Sequence, residues 1–414
     1  MAKGLALAII LVAVALTYWR PLKRVRTAVG LNHLLATGHA FLVLGFLLGL
    51  LSGERQVSLA QDLGPIVALV AGWVGFAAGM RFDVRVLRLV PPRAFAVALF
   101  PAIVAALAVG GLGGILLVLS RTGTREVVAA ALVLAAAAAS TGPTLVAMIR
   151  TTLPGRSTEA RPVLRMIEFS AGMADVVVVL LAVHSFAIFR AAAEPVDPAL
   201  LIAAATGGGA LLGGVTWLFL GGRATEDERL LLGLGMLTFI AGFAGWLHLS
   251  PAAVAAVAAI VLVNLPGDRM ARLLQAVRRF ERPAVVILMS VIGFHISGSI
   301  TWLFFPLVLT LTLVRFVCKR WAGTLAAIAA PPTHGLRVSR GWGDGLVPQG
   351  VLGLMVTLSF FHVWRDDTSR TVLAAVAAAG IINEIVAPWL FVRLLRGITS
   401  PIGTTVEAGR RRPA

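Results

Sequence analysis

The chain has 414 residues, of which 58% are hydrophobic and 13% charged, with a formal net charge of +17 and one cysteine. So little charge cannot cover the surface of a soluble protein of this size. A lone Cys318 excludes a disulfide framework and a cysteine metal centre.

Apolar runs long enough to cross a bilayer, about 20 residues, recur along the whole chain, which predicts an all-α polytopic membrane protein. Thirteen helices are expected, at about 4–19, 31–52, 61–80, 91–119, 126–150, 163–190, 197–221, 228–247, 250–266, 282–299, 300–322, 343–363 and 368–396. The first run, Leu5 to Trp19, has the look of a signal-peptide core. No small-residue cleavage site follows it, and Arg20, Lys23, Arg24 and Arg26 do. Such a cluster resists export, so the run reads as a spanning helix. Gly45 and Gly49, and the GGGALLGG stretch at 207–214, are packing signals for close helix approach rather than phosphate loops. No connector is long enough to fold by itself. Residues 1–396 are therefore expected to form one transporter domain, with a core near 91–190 and 300–396 and a scaffold from the remaining helices. Residues 397–414 are expected to be a short basic cytoplasmic tail. No nucleotide or cofactor motif is present, and none is expected to bind.

Thirteen spans place the termini on opposite sides. The connectors after odd-numbered helices, with the tail, hold 28 of the 36 Lys and Arg; the other side holds 7, and Arg315 lies within a helix. Positive charge marks the cytoplasmic side. The bias predicts an outside N-terminus and a cytoplasmic C-terminus in a plasma (inner) membrane, with a bacterial origin. It also accounts for the net charge without nucleic acid as a partner.

Two helices carry breaks. The stretch LVLAAAAASTGPTLVAMIR (132–150) is interrupted by Ser140-Thr141-Gly142-Pro143, and GLVPQGVLGLMV (345–356) by Pro348-Gln349-Gly350. Proline removes an amide donor and collides with the preceding turn. By helix rise both breaks lie about 20 Å below the outer surface, in helices running in opposite directions. Interruptions at corresponding positions of two halves point to a transporter site. Helices 4–6 and 11–13 would then be inverted repeats with two crossed discontinuous helices.

Buried acids fall at the same level. Asp175, in FSAGMADVVVVLL, and Glu384, in GIINEIVAPWLF, each lie about 18 Å from the inner end of their helix. A carboxylate at that depth is expensive and functional by default. A proton or a dehydrated monovalent cation can neutralise it, and each excludes the other. If both loaded states cross and the empty anion does not, the result is exchange. Asp175 is the first candidate; Glu384, with Asn383 beside it, is either a second site or a link between helices. Glu168 reads as an interfacial ion pair. His184 and His295 read as packing residues, with His295 able to tune a pH response. Arg315, Lys319 and Arg320 read as snorkelling from the inner end of their helix, with Arg315 also able to pair with a buried acid.

These residues resemble the monovalent cation:proton antiporter superfamily, in its sodium/hydrogen exchanger domain. FAAGMRFDVRVLRLVPPR (76–93) is similar to the end of the family's third helix and the next loop. STGPTLVAMI is similar to its first broken helix, SAGMADVVVVLL to its ion-site helix, LVPQGVLGLMV to its second broken helix and NEIVAPWLFVRLL to its last helix. The resemblance implies thirteen helices, a homodimer, elevator motion of the core, and Asp175 at the essential aspartate. The family usually has an acid where Gly142 stands, and Asn or Asp where Ala174 stands. No lysine lies near Val291, where electrogenic members carry one.

The expected activity is proton-coupled antiport of a monovalent cation, Na+ or K+, one for one in charge if Asp175 acts alone. Asp175 and Thr141 would hold the cation; Ser140, Gly142, Gln349, Asn383 and Glu384 would complete the site. The partners would be the cation, protons, lipid and a second copy of the chain. A sodium-coupled symporter of a small organic anion, a passive channel and a transport-dead homologue are the other readings.

Overall fold

The computed structural model describes residues 34–35, 37–52, 63–120, 123–143, 146, 154–193, 196–220, 225–266, 271–298, 300–329 and 341–399. The predicted first helix, 4–19, and the basic cluster after it lie outside these residues, as does the tail from 400. The described residues form helices and contain no strand.

In chain order the helices are α1 (His39–Ser52), α2 (Gly64–Gly79), α3 (Pro92–Leu119), α4 (Thr124–Ala139), α5 (Pro154–Ala193), α6 (Pro198–Leu220), α7 (Glu226–Trp246), α8 (Pro251–Asn264) and α9 (Ala271–His295). Helix α10 runs through Phe304–Leu309, a π-turn at Thr310–Val314, and Arg315–Ala329. A 3₁₀ turn (Trp342–Leu346) precedes α11 (Val351–Val363), and α12 spans Asp367–Thr399. A single turn, Val84–Leu87, follows α2, with Asp83 accepting from the Arg85 N–H at 2.8 Å. Local chemistry sets several starts. Thr225 and Glu228 form a reciprocal capping box ahead of α7. Ser250 caps α8, whose first residue is Pro251.

Several elements depart from the expected ranges, and helix α5 begins at Pro154 rather than near 163. Helix α1 starts at His39, because Gly38 has a φ of 85°, a left-handed conformation that glycine adopts freely. Helix α9 begins at Ala271 rather than near 282. Leu273, Val277 and Ala284 are buried there while Arg278, Arg279 and Arg282 face outward, so the charge run is one side of an amphipathic extension. Helix α10 continues to Ala329, which places Lys319 and Arg320 well inside it.

Among the described residues, six helical stretches are long and apolar enough to cross a membrane: Gly64–Leu87, Pro92–Leu119, Ala160–Ala191, Pro198–Leu220, Asp227–Trp246 and Asp367–Arg396. Helices α1, α8 and α11 are shorter and apolar. Leu51, Leu107, Phe305 and Trp389 are exposed on helix surfaces, where lipid takes the place of water. The chain is a multi-pass membrane protein.

The helices pack in two groups. Helices α3, α4, α5, α10, α11 and α12 pack on one another, and α1, α2, α6, α7, α8 and α9 form the second group. Glycine permits the closest approaches within the second: a side chain at Gly45 of α1 would collide with the Ser290 backbone of α9, and one at Gly213 of α6 with the Ala258 backbone of α8.

Candidate functional site

The two interruptions meet. Helix α4 stops at Ala139, and Ser140–Pro143 continue without helical structure. The Gly142 N–H donates to Pro348 O at 3.0 Å. A Cβ on Gly142 would lie 2.9 Å from Gln349 O, and one on Gly350 would collide with Ser140 Oγ. The sequences Ser140–Pro143 and Val347–Gly350 are thus in direct backbone contact, which a larger residue at 142 or 350 would push apart.

Breaking α4 leaves carbonyls without their usual donors. Ala138 O would normally receive the Gly142 N–H, which goes to Pro348 instead. Ala139 O would receive an N–H from residue 143, and Pro143 has none. Two cations of α10 fill both vacancies. Arg315 Nε donates to Ala138 O at 3.0 Å, and Lys319 Nζ donates to Ala139 O at 3.0 Å. Lys319 Nζ also reaches Ser140 O at 2.8 Å and Thr141 Oγ1 at 2.6 Å. The Arg315 fork continues to Ser140 O at 2.7 Å and, on the second break, to Val347 O at 2.6 Å and Pro348 O at 3.3 Å. Arg315 and Lys319 are 0% exposed. They are one turn apart and follow the π-turn directly, so both point at the crossing; π-turns of this kind often mark functional sites. They do not snorkel. Arg315 holds the two breaks together, and Lys319 ties up the first.

Helix α12 contributes from the far side. Glu384 Oε1 accepts the Gln349 N–H at 3.1 Å, and its charge acts on Arg315. Asn383 Nδ2 lies 3.5 Å from Leu311 O in the π-turn. Both are buried. Ser140 Oγ and both amide atoms of the Gln349 side chain are buried without a hydrogen-bond partner among the described residues. Such groups are costly unless something else satisfies them.

Asp175, in α5, is 5% exposed. Its Oδ2 accepts from Arg81 Nη1 at 3.2 Å, and Arg81 Nη2 donates to Glu281 Oε1 at 3.1 Å. The charges of Arg81, Glu281 and Lys319 all act on Asp175. Lys319 therefore links the aspartate electrostatically to the crossing, where Thr141 and Ser140 are its direct partners. A buried carboxylate under the charge of a lysine at the crossing of broken helices, already holding a monovalent cationic group, is suited to bind a small cation or a proton.

Other residues lie apart from this arrangement. His184 is exposed and bonds Leu180 O at 2.7 Å; His295 is buried and bonds Val291 O at 2.7 Å. Each is tied to the turn behind it, as packing residues are. Glu168 is half-buried.

The model of the transmembrane sodium/hydrogen exchanger domain matches residues 76–396. The chain belongs to the sodium/hydrogen exchanger family. The match begins just before Arg81 and takes in both breaks, Asp175 and Glu384. No curated protein matches the chain in sequence. Among solved structures it is similar to the sodium proton antiporter MjNhaP1 from Methanocaldococcus jannaschii at pH 8, with a TM-score of 0.62, 14% identity, and 95% of this chain and 100% of that one covered. A second structure of MjNhaP1, from an electron-microscopy map, gives a TM-score of 0.56 at 12% identity over 90% and 92% of the two chains. At such identity the likeness establishes the antiporter fold.

Proposed function

We propose that the protein exchanges a monovalent cation, Na+ or K+, for protons across the membrane, with the two competing for Asp175. The observation that carries this reading is the buried Asp175 carboxylate, paired with a monovalent guanidinium and coupled through the charge of Lys319 to the two helix breaks. Family membership supplies the transport class.

Ser140 Oγ and Gln349 Oε1, buried without protein partners among the described residues, are proposed as neutral oxygen ligands for a partly dehydrated cation. Thr141 Oγ1 retains a lone pair beyond the one Lys319 uses. Gly142 gives the breaks their close approach, while Glu384 braces the second break and Asn383 ties α12 to the π-turn of α10. Lys319 donates to three oxygens of the first break, which commits it to the crossing. Asp175 then cycles alone, and the exchange is electroneutral. The group of α3–α5 and α10–α12 is proposed as the moving core, and the group of α1, α2 and α6–α9 as the scaffold, dimerising with a second copy. The arginine-rich connectors are proposed to face the cytoplasm from a plasma membrane.

The test is a proteoliposome assay with a trapped pH dye. Adding Na+ or K+ should drive proton movement in wild type and not in Asp175→Asn. Equal responses from the two proteins would remove Asp175 as the shared site. Organic-anion uptake without proton movement would favour a symporter.

A further inference from the structure

Arg81 joins the two helix groups. It follows α2, and Glu281 is on α9, both in the second group; Asp175 is on α5, in the first. The guanidinium spans both acids with different nitrogens, Nη1 to Asp175 and Nη2 to Glu281. Either contact can open while the other holds. The Arg81 side chain is 37% exposed and Glu281 is 38% exposed, against 7% for Asp175, so the arginine has room to move and the aspartate has little. Beside them a cavity of about 210 Å3 is lined by Thr37, Gly38, Glu281, Arg282 and Val351, between α1, α9 and the start of α11. It has room for several waters at about 30 Å3 each, and Glu281 on its wall is the alternative partner of Arg81.

We propose that Arg81 is the coupling latch of the exchanger: it fills the charge site of the empty carrier and ties core to scaffold, and an arriving cation or proton displaces it onto Glu281. This rests on Asp175 being the shared site. The guanidinium stays charged throughout. With the site empty, Arg81 balances the aspartate and fastens α5 to the end of α2, so the anion does not cross. With the site loaded, Asp175 no longer needs a counter-charge, Arg81 keeps Glu281, and the core is free to move. Only hydrogen bonds and ion pairs change. Of the charges that act on Asp175, Lys319 is committed to the crossing, and Arg81, with Glu281 as its alternative partner, is the one placed to exchange.

The full chain in proteoliposomes tests this with two readouts: the half-saturating cation concentration, and net isotope flux at matched pH with the voltage clamped. Arg81→Gln should lower the half-saturating concentration about threefold to fivefold, the range of a partly exposed ion pair. It should also allow a measurable net cation movement without counter-moving protons, because α5 is no longer fastened to the end of α2 when the site is empty. Glu281→Gln should raise the half-saturating concentration, since Arg81 loses its alternative partner. Arg81→Lys should restore part of the coupling. If wild type exchanges, Asp175→Asn does not, and Arg81→Gln keeps wild-type affinity and coupling, the latch is overturned while the exchange site stands. If Asp175→Asn exchanges like wild type, the site assignment fails and the latch falls with it. Should Arg81→Gln not fold, Glu281→Gln decides: a raised half-saturating concentration supports the latch, and an unchanged one overturns it.

Discussion

Glu384 Oε1 lies 3.7 Å from where a Cβ on Gly142 would stand, and it accepts the Gln349 N–H at 3.1 Å. The resemblance to the antiporter superfamily implies an acid at the Gly142 position. Here a carboxylate reaches the same place from α12. It supplies negative charge next to Arg315 and closes the N-terminal side of the second break. Glu384 therefore braces the crossing, and its loss should be felt first in stability. Glu384→Ala should lower the unfolding free energy by about 1–3 kcal/mol, the cost of an unsatisfied buried donor, with Glu384→Gln milder. Thermal unfolding in detergent measures this. A folded Glu384→Gln protein as transport-dead as Asp175→Asn would instead make Glu384 part of the carrier site.

Lys319 replaces the amide that Pro143 lacks, so Lys319→Met should leave Ala139 O, Ser140 O and Thr141 Oγ1 short of a donor. Its melting temperature should fall. Any transport that survives should keep the wild-type proton-to-cation ratio, measured from the ion gradients at which flux reverses. A changed ratio would mean that Lys319 itself carries a proton.

Gly350 packs against Ser140 so closely that a methyl group there collides with Ser140 Oγ. Gly350→Ala should destabilise the protein by about 1–3 kcal/mol through overpacking. Adding Ser140→Gly should recover part of that loss in the double variant. Equal unfolding of Gly350→Ala and wild type would contradict the close crossing of the breaks.

Much of this site is legible in the sequence. Proline and glycine inside apolar runs announce both breaks, and a carboxylate inside an apolar helix announces Asp175. The cations are harder to read. Arg315 and Lys319 stand where a helix of ordinary length would end, so in sequence snorkelling is the simpler expectation. The helix instead continues through the apolar residues 322–329, and the π-turn sets the direction of the two side chains. The extension of α9 was hidden because its arginines look like a loop when counted, and like one helix face only when their period is considered. Nothing local announces that Arg81 meets Asp175: the contact joins the end of one helix to the middle of another, and only tertiary packing brings them together.

Competition at one carboxylate also sets a pH dependence. Protons and cations exclude each other, so acidification weakens cation binding. Below the titration of the site, the half-saturating cation concentration should rise about tenfold per pH unit. Dye-based transport titrated at several pH values checks this. A half-saturating concentration independent of pH would place protons and cations at separate sites.

The most direct measurement is proton release from purified protein in weakly buffered detergent solution. Saturating Na+ or K+, at a pH where the site is still protonated, should release about one proton per chain from wild type, the stoichiometry of a single shared site. Asp175→Asn should release none. Cation binding to wild type without proton release, or equal release from Asp175→Asn, would contradict competition at Asp175.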